Sequence, residues 1–344
     1  MDKTDHLNNT ADLDTTDGLN LMEIFGTGEQ GIEDLIRHAA DRLRTGGIDS
    51  PEHDAMVLLA FASSDGAEVS VNDIRTSRIM GVSLRSALAR WHQLDPVVSA
   101  RCSERCLIRF SALIERRMHH EPLQYIVGHV HFRFLDVLVG EGVFIPRQET
   151  ELVVEAALEV LRERRSQRHR VVDLCTGSGA IALSMATEMP KSDIHAVEGS
   201  KRAIAWTSRN IKAYRNRIDE VGSTLELIEG DAVDASTLQE LDGQCDLVVS
   251  NPPYVPEREI PEQSEVRDWE PELALYGDSP DGLAFPKRII ERAATLLKDG
   301  GTLVMEHDIS QGKALREFAL DRGYQGARTG QDLTHRDRFL VATR

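Results

Sequence analysis

From residue 152 onward, helical and extended patterns alternate for about 190 residues, and this alternation constrains the fold more than any other feature of the chain. Apolar residues recur at helical spacing over 152–161, 180–189, 202–215 and 286–297 and near 311–321. Short apolar runs occupy 171–174, 194–197, 225–228, 247–250, 302–307 and 338–342. Strands this short and this apolar, each separated from the next by a helix, are the repeating unit of a parallel sheet covered on both faces. The pattern predicts an α/β domain with a doubly wound, mainly parallel sheet. Such sheets bind ligands beyond the carboxyl ends of their strands, so residues just after each strand are the first candidates for chemistry.

The first of these candidates is a glycine turn. Val172-Asp173-Leu174-Cys175-Thr176-Gly177-Ser178-Gly179 runs from a strand into a turn that opens a helix. Glycines at 177 and 179 let the backbone turn sharply and approach a ligand closely. Nineteen residues beyond Gly179, Glu198 ends the next strand, where a carboxylate can accept hydrogen bonds from both ribose hydroxyls of a nucleoside cofactor. Gly177-Ser178-Gly179-Ala180-Ile181-Ala182 also fits the dinucleotide fingerprint, so a nicotinamide dinucleotide is an alternative ligand. Two acids favour S-adenosylmethionine. Asp173 precedes the glycines, where it can bind the amino-acid part of that cofactor. Asp231, in Glu229-Gly230-Asp231, follows the next strand at the place expected for an adenine ring. The cofactor-contact candidates are therefore Asp173, Cys175, Thr176, Gly177, Ser178, Gly179, Glu198, Asp231 and Ala232, with Asn251 completing the set.

Asn251-Pro252-Pro253-Tyr254 lies just past the apolar run 246–250. A planar NH2 group has two hydrogens and a nitrogen lone pair delocalised into its carbonyl or ring. The Asn251 side-chain oxygen can accept one hydrogen and the Pro252 carbonyl the other, which weakens conjugation and leaves the lone pair free to attack. The prolines stiffen the loop and remove competing N–H groups. Tyr254 offers a flat face to a planar amide. Asn251, Pro252 and Tyr254 are the catalytic candidates, and Pro253 joins them in substrate contact. No general base is required, because a sulfonium methyl is already reactive and positioning can supply most of the rate.

The N-terminal third reads differently. Ile32, Leu35, Ile36, Ala39, Ala40 and Leu43 recur at helical spacing up to Gly46-Gly47, Ser50-Pro51 opens a second helix, and 84–94 and 107–118 form two more. This is a small helical bundle. Between Gly128 and Ile145 the period shortens, and Phe132, Phe134, Val137, Val139, Val143 and Ile145 predict a β-hairpin. Residues 1–25 read as a disordered tail, without the basic start and apolar stretch of a secretory signal. No apolar run is long enough for a membrane span. Four scattered cysteines imply neither a disulfide framework nor a zinc site, and a reducing cytoplasm fits them. A formal net charge of −17 argues against a dominant nucleic-acid surface and suits a protein substrate with basic segments.

Taken together, these motifs resemble the N5-glutamine methyltransferases that modify peptide chain release factors. The Asn-Pro-Pro-Tyr loop alone is shared with enzymes acting on adenine, and the rest of the chain carries the distinction. Glu121-Pro122-Leu123-Gln124-Tyr125-Ile126-Val127-Gly128 and Phe144-Ile145-Pro146-Arg147-Gln148-Glu149-Thr150-Glu151 resemble that family's linker and lead-in segment. Asp268-Trp269-Glu270-Pro271-Glu272-Leu273-Ala274-Leu275 and Asp281-Gly282-Leu283 are similar to its segment after the catalytic loop. Glu306-His307, Gln311-Gly312 and Arg336-Asp337-Arg338 match its ending. The resemblance implies a methyltransferase-type sheet over 147–344, a hairpin linker over 121–146 and a release-factor-docking helical domain over 26–120. It implies methyl transfer from S-adenosylmethionine, leaving S-adenosylhomocysteine, to the glutamine of a Gly-Gly-Gln loop. It also places Phe144 and Arg147 near the methionine end of the cofactor and the substrate glutamine. A cytoplasmic monomer with no nucleic-acid substrate is expected. Cys175 departs from the family's glycine, Glu198 from its more frequent Asp, and Ala232-Val233 from its aromatic pair.

Overall fold

A computed structural model of the chain describes residues 29–344 apart from Gly66, Arg165, Gln167 and Leu333. The tail expected over 1–25 lies outside the described residues. The chain divides into two units, the first ending at Val127 and the second spanning Gly128–Arg344. The division falls inside the stretch 121–146, so its first part belongs with the helices and its hairpin with the sheet.

In the first unit, α1 (Ile32–Thr45) buries the expected apolar stripe. It is followed by α2 (Pro51–Ser63), α3 (Val71–Ile79), α4 (Leu84–Trp91), α5 (Pro96–Met118) and α6 (Leu123–Val127). Three of these exceed the sequence reading: the short α6, which falls in the stretch read as a hairpin linker, α3, and the start of α5. Helix α3 is opened by a capping box, in which Ser70 and Asp73 satisfy each other's backbone N–H groups. Helix α5 begins eleven residues earlier than expected, because the Asp95 carboxylate accepts from the backbone of Val97 (2.9 Å) and Val98 (3.0 Å). Val97 is 66% exposed, so the first turns of α5 show no apolar stripe. Phe110, Leu58, Leu59 and Leu35 form the core, beside a buried ion pair of Arg117 and Asp54 at 2.8 Å.

The second unit opens with a hairpin, β1 (His129–Phe132) and β2 (Leu135–Leu138), and then α7 (Thr150–Arg162). The expected alternation follows as β3 (His169–Leu174), α8 (Ala180–Glu188), β4 (Ser192–Glu198), α9 (Lys201–Glu220), β5 (Thr224–Glu229) and β6 (Cys245–Ser250). After a short helix α10 (Ser264–Trp269) come α11 (Ala284–Leu296), β7 (Leu297–Glu306), α12 (Gly312–Asp321), β8 (Gly326–Gln331) and β9 (Asp337–Thr343). The seven-stranded sheet has the order β5-β4-β3-β6-β7-β9-β8. Strands β3 to β7 pair with one another in parallel, and β9 runs antiparallel between β7 and β8. This is the doubly wound, mainly parallel sheet the alternation predicts. Strand β8 was not anticipated, since a run holding two glycines and only one buried residue carries no apolar signal. Among the described residues no helix is long and apolar enough to cross a membrane.

Two features of this topology position the site. The chain winds outward from β3 to β5 and returns to β6 on the other side of β3, so the strand order reverses between β3 and β6. Leu174 is the register partner of Ser250, which starts the glycine turn and the Asn251 loop at one level. The segment after that loop folds back over it, with Val255 and Tyr276 forming an isolated bridge. Gly282 sits at φ +68°, and a Cβ there falls 2.1 Å from the Tyr254 carbonyl oxygen. Gly282→Ala therefore forces this packing apart, and the expected loss is about 2 kcal/mol or more. Urea unfolding of the two proteins measures it; an unchanged midpoint contradicts the close approach.

Candidate active site

A cavity of about 610 Å³ opens at the carboxyl ends of β3, β4, β5 and β6. Its wall takes Cys175, Thr176, Gly177 and Ser178 from the glycine turn, Glu198 from β4, and Asp231 and Ala232 after β5. Asn251, Pro253 and Tyr254 come from the loop after β6, and Phe144 and Thr150 from the lead-in segment. The reversal of strand order thus brings together residues that are more than a hundred positions apart in the chain. Four candidates do not reach the wall: Asp173, Gly179, Pro252 and Arg147.

The turn is held from below. Asp173 is fully buried, and its Oδ2 accepts from the Thr176 hydroxyl (2.6 Å) and the Ala182 N–H (3.1 Å). Its Oδ1 is buried with no hydrogen-bond partner among the described residues. Burial pushes the Asp173 carboxyl up to about 7, against the pull of those two donors. Asn210, to which sequence reasoning gives no role, donates to the Ser178 carbonyl (2.9 Å), and Thr207 donates to that of Gly177 (2.5 Å). Gly179, at φ +84°, packs its Cα against Thr207, where a Cβ meets the threonine methyl at 2.8 Å. Cys175 adopts φ +65° without being glycine. Burial, with Glu198 and Asp173 close by, drives its thiol well above the usual range, so it stays neutral.

Glu198 is oriented by backbone. Its Oε2 accepts from the Gly177 N–H and its Oε1 from the Ser200 N–H, both at 2.8 Å. The Gly199 N–H also stabilises this carboxylate. Burial raises its carboxyl despite these donors. Asp231 is tied back through Oδ1 to the Val233 N–H at 3.0 Å.

The Asn251 side chain donates from Nδ2 to the Thr150 hydroxyl oxygen at 3.3 Å. Tyr254 donates its hydroxyl to Glu306 Oε1 at 2.9 Å, and the Gln311 amide donates to the Tyr254 carbonyl (2.8 Å) and to that of Asp281 (3.0 Å). Pro252 is buried. Arg147 is engaged elsewhere: its guanidinium pairs with the buried Glu270 and lies 4.7 Å from the centre of the Phe144 ring. It holds Phe144 in place instead of lining the cavity. Sequence reasoning assigned no role to Thr150, Glu270, Glu306 or Gln311, although all four lie within the family-like segments.

Comparison with known proteins identifies the family. Residues 135–265 match the methyltransferase small domain, and residues 86–128 match the PrmC N-terminal domain. The release factor glutamine methyltransferase of Bifidobacterium longum is 48% identical over 311 residues, covering 90% of this chain and 99% of that one. That of Streptomyces coelicolor is 44% identical over 236 residues, covering 68% of this chain and 80% of its own. That of Moorella thermoacetica is 34% identical over 316 residues, covering 91% and 98%. A chain this similar over nearly the full length of its relatives, with a doubly wound sheet and a loop that presents Asn251 to a cavity at the strand ends, belongs to the release factor glutamine methyltransferase family.

Proposed function

We propose that this methyltransferase moves a methyl group from S-adenosylmethionine to the side-chain amide nitrogen of the glutamine in the Gly-Gly-Gln motif of peptide chain release factors. It does so in the cytoplasm as a monomer. The observation that carries the reading is the Asn251 side chain, whose nitrogen is taken up by Thr150 so that its oxygen is left for an acceptor N–H. The residues around the cavity fit the cofactor. Glu198 lines the cavity, where its carboxylate can accept from ribose hydroxyls, and Asp231 and Ala232 flank the adenine position; beneath the turn and off the wall, the unpartnered Asp173 Oδ1 suits an ammonium group. Phe144 completes the wall.

When bound, S-adenosylmethionine supplies a methyl carbon on a positively charged sulfur. The chain's own residues do the rest. Asn251 Oδ1 and the Pro252 carbonyl accept the two hydrogens of the glutamine amide and draw its nitrogen lone pair out of conjugation. Pro253 stiffens the loop, and Tyr254, fixed through both its hydroxyl and its carbonyl, backs the planar amide. Held with its lone pair toward the bound cofactor, the glutamine nitrogen would take the methyl carbon, and its surplus proton would leave to water.

Three outcomes follow for measurement. With labelled S-adenosylmethionine, a wild-type release factor accepts label and a factor whose Gly-Gly-Gln glutamine is changed to alanine does not; label on the altered factor contradicts the assignment. Asn251→Ala lowers kcat by about 100-fold or more, because one preorganised hydrogen-bonding group is lost. Its affinity for S-adenosylmethionine, measured by calorimetry, stays near the wild-type value, and an equal loss in binding contradicts the clamp. Finally, burial pushes the Asp173 carboxyl up to about 7, so its charged fraction grows as pH rises through that value. A cation-binding role makes S-adenosylmethionine bind more tightly as pH rises from about 6 to about 8, and Asp173→Asn flattens that dependence. An unaltered slope in Asp173→Asn rules the role out.

A further inference from the structure

Helix α9 presents one stripe of side chains to β2 and the residues that follow it. Trp206, Asn210 and Tyr214 are each four residues apart and so share a face. All three bond backbone. The Tyr214 hydroxyl accepts from the Asp136 N–H at 2.7 Å and donates to the Asp136 carbonyl at 3.1 Å. Asn210 Oδ1 accepts from the Leu138 N–H at 2.8 Å, and Asn210 Nδ2 donates to the Leu138 carbonyl at 3.0 Å. The Trp206 indole N–H donates to the Glu141 carbonyl at 3.2 Å. Strand β1 covers only one edge of β2, and alternate residues of a strand turn their backbone groups to the same edge. The groups at 136 and 138 are those a third strand would take, and α9 takes them with side chains instead.

One of these residues also reaches the glycine turn. Asn210 Nδ2 donates to the Ser178 carbonyl at 2.9 Å. An asparagine amide has two N–H donors at one end and an acceptor at the other. In Asn210 both ends are engaged, the residue is fully buried, and turning the amide end for end breaks all three bonds. A single side chain therefore ties β2 to the turn that flanks the cavity. Ser178 lines that cavity, and so do Gly142, Val143 and Phe144, a few residues beyond Leu138. Leu138 itself stays off the wall.

We propose that Asn210 is a positioning residue for the cofactor, fixing the glycine turn against the hairpin so that the turn and the Phe144 wall receive S-adenosylmethionine as one preformed piece. Holding a binding loop in its bound shape raises affinity by removing the cost of ordering it. The proposal rests on S-adenosylmethionine binding at this turn, as read above.

Calorimetry of the full chain with S-adenosylmethionine, without a release factor, tests it. Asn210→Leu keeps the approximate volume, removes all three bonds and leaves the Ser178 carbonyl without its donor. The expected result is a dissociation constant raised about tenfold or more. Tyr214→Phe is the control, since it removes both bonds to Asp136 and touches nothing in the turn. It is expected to lower the melting temperature and leave the dissociation constant close to wild type. A merely structural role for Asn210 makes the two variants alike, losing stability and not affinity. Wild-type affinity in a folded Asn210→Leu, or an equal loss of affinity in Tyr214→Phe, overturns the proposal. A wild-type chain that does not bind S-adenosylmethionine overturns the reading of the turn as well, which separates the two failures. If Asn210→Leu does not fold, hydrogen exchange on the wild-type chain carries the decision. Adding S-adenosylhomocysteine is expected to protect the Leu138 amide, held by Asn210, more than the Asp136 amide, held by Tyr214. Equal protection at the two overturns the coupling.

Discussion

The site depends on the parallel pairing of β3 with β6. Backbone hydrogen bonds between these strands put Leu174 level with Ser250, and everything chemical begins one residue later on each. The glycine turn leaves β3 toward one side of the cavity and the Asn251 loop leaves β6 toward the other. A slip in this register would move the loops apart by a residue and turn inward side chains outward. The near-total burial of both strands, with Val171, Val172, Val248 and Val249 fully enclosed, guards against that slip.

Above this rigid floor the polar residues are held by donors more than by counter-charges. Glu198 is set by backbone N–H groups, Asp173 by a hydroxyl and an N–H, and Glu306 by the Tyr254 hydroxyl. The contrast with the helical unit is informative. There a buried acid, Asp54, is matched by Arg117 at 2.8 Å, an arrangement that fixes packing and leaves no charge to use. In the sheet unit the carboxylates keep unsatisfied oxygens at Asp173 and Glu306. Burial raises the proton affinity of both. These are the features of groups arranged for a ligand and for a neighbouring side chain, since packing alone favours satisfying them.

Most of the sheet was legible because its strands are short, apolar and bounded by turns, a pattern that survives without tertiary context. Strand β8 escaped because, paired with β9 at the sheet's edge, it is defined by that pairing and not by its own residues. Helix α3 and the start of α5 escaped for a related reason: their signals are the caps at Ser70 and Asp95, and an exposed Val97 hides the apolar period. In the site, residues attached to recognisable turns were found in the sequence. Residues that act from beneath were not. Thr150, Asn210 and Gln311 reach the loops from distant elements, and their roles exist only once the fold has closed. Arg147 shows the converse, a charge whose partner, Glu270, lies 123 residues away and draws it off the wall.

The central claim is that the Asn251 side-chain oxygen and the Pro252 carbonyl together hold the two hydrogens of a planar amide. A crystal structure of the protein with S-adenosylhomocysteine and a Gly-Gly-Gln peptide measures this directly. The account predicts the glutamine amide nitrogen within about 3 Å of both oxygens, with the Asn251 nitrogen still on Thr150. A glutamine nitrogen held by other groups, or an Asn251 that turns its NH2 toward the substrate, contradicts it.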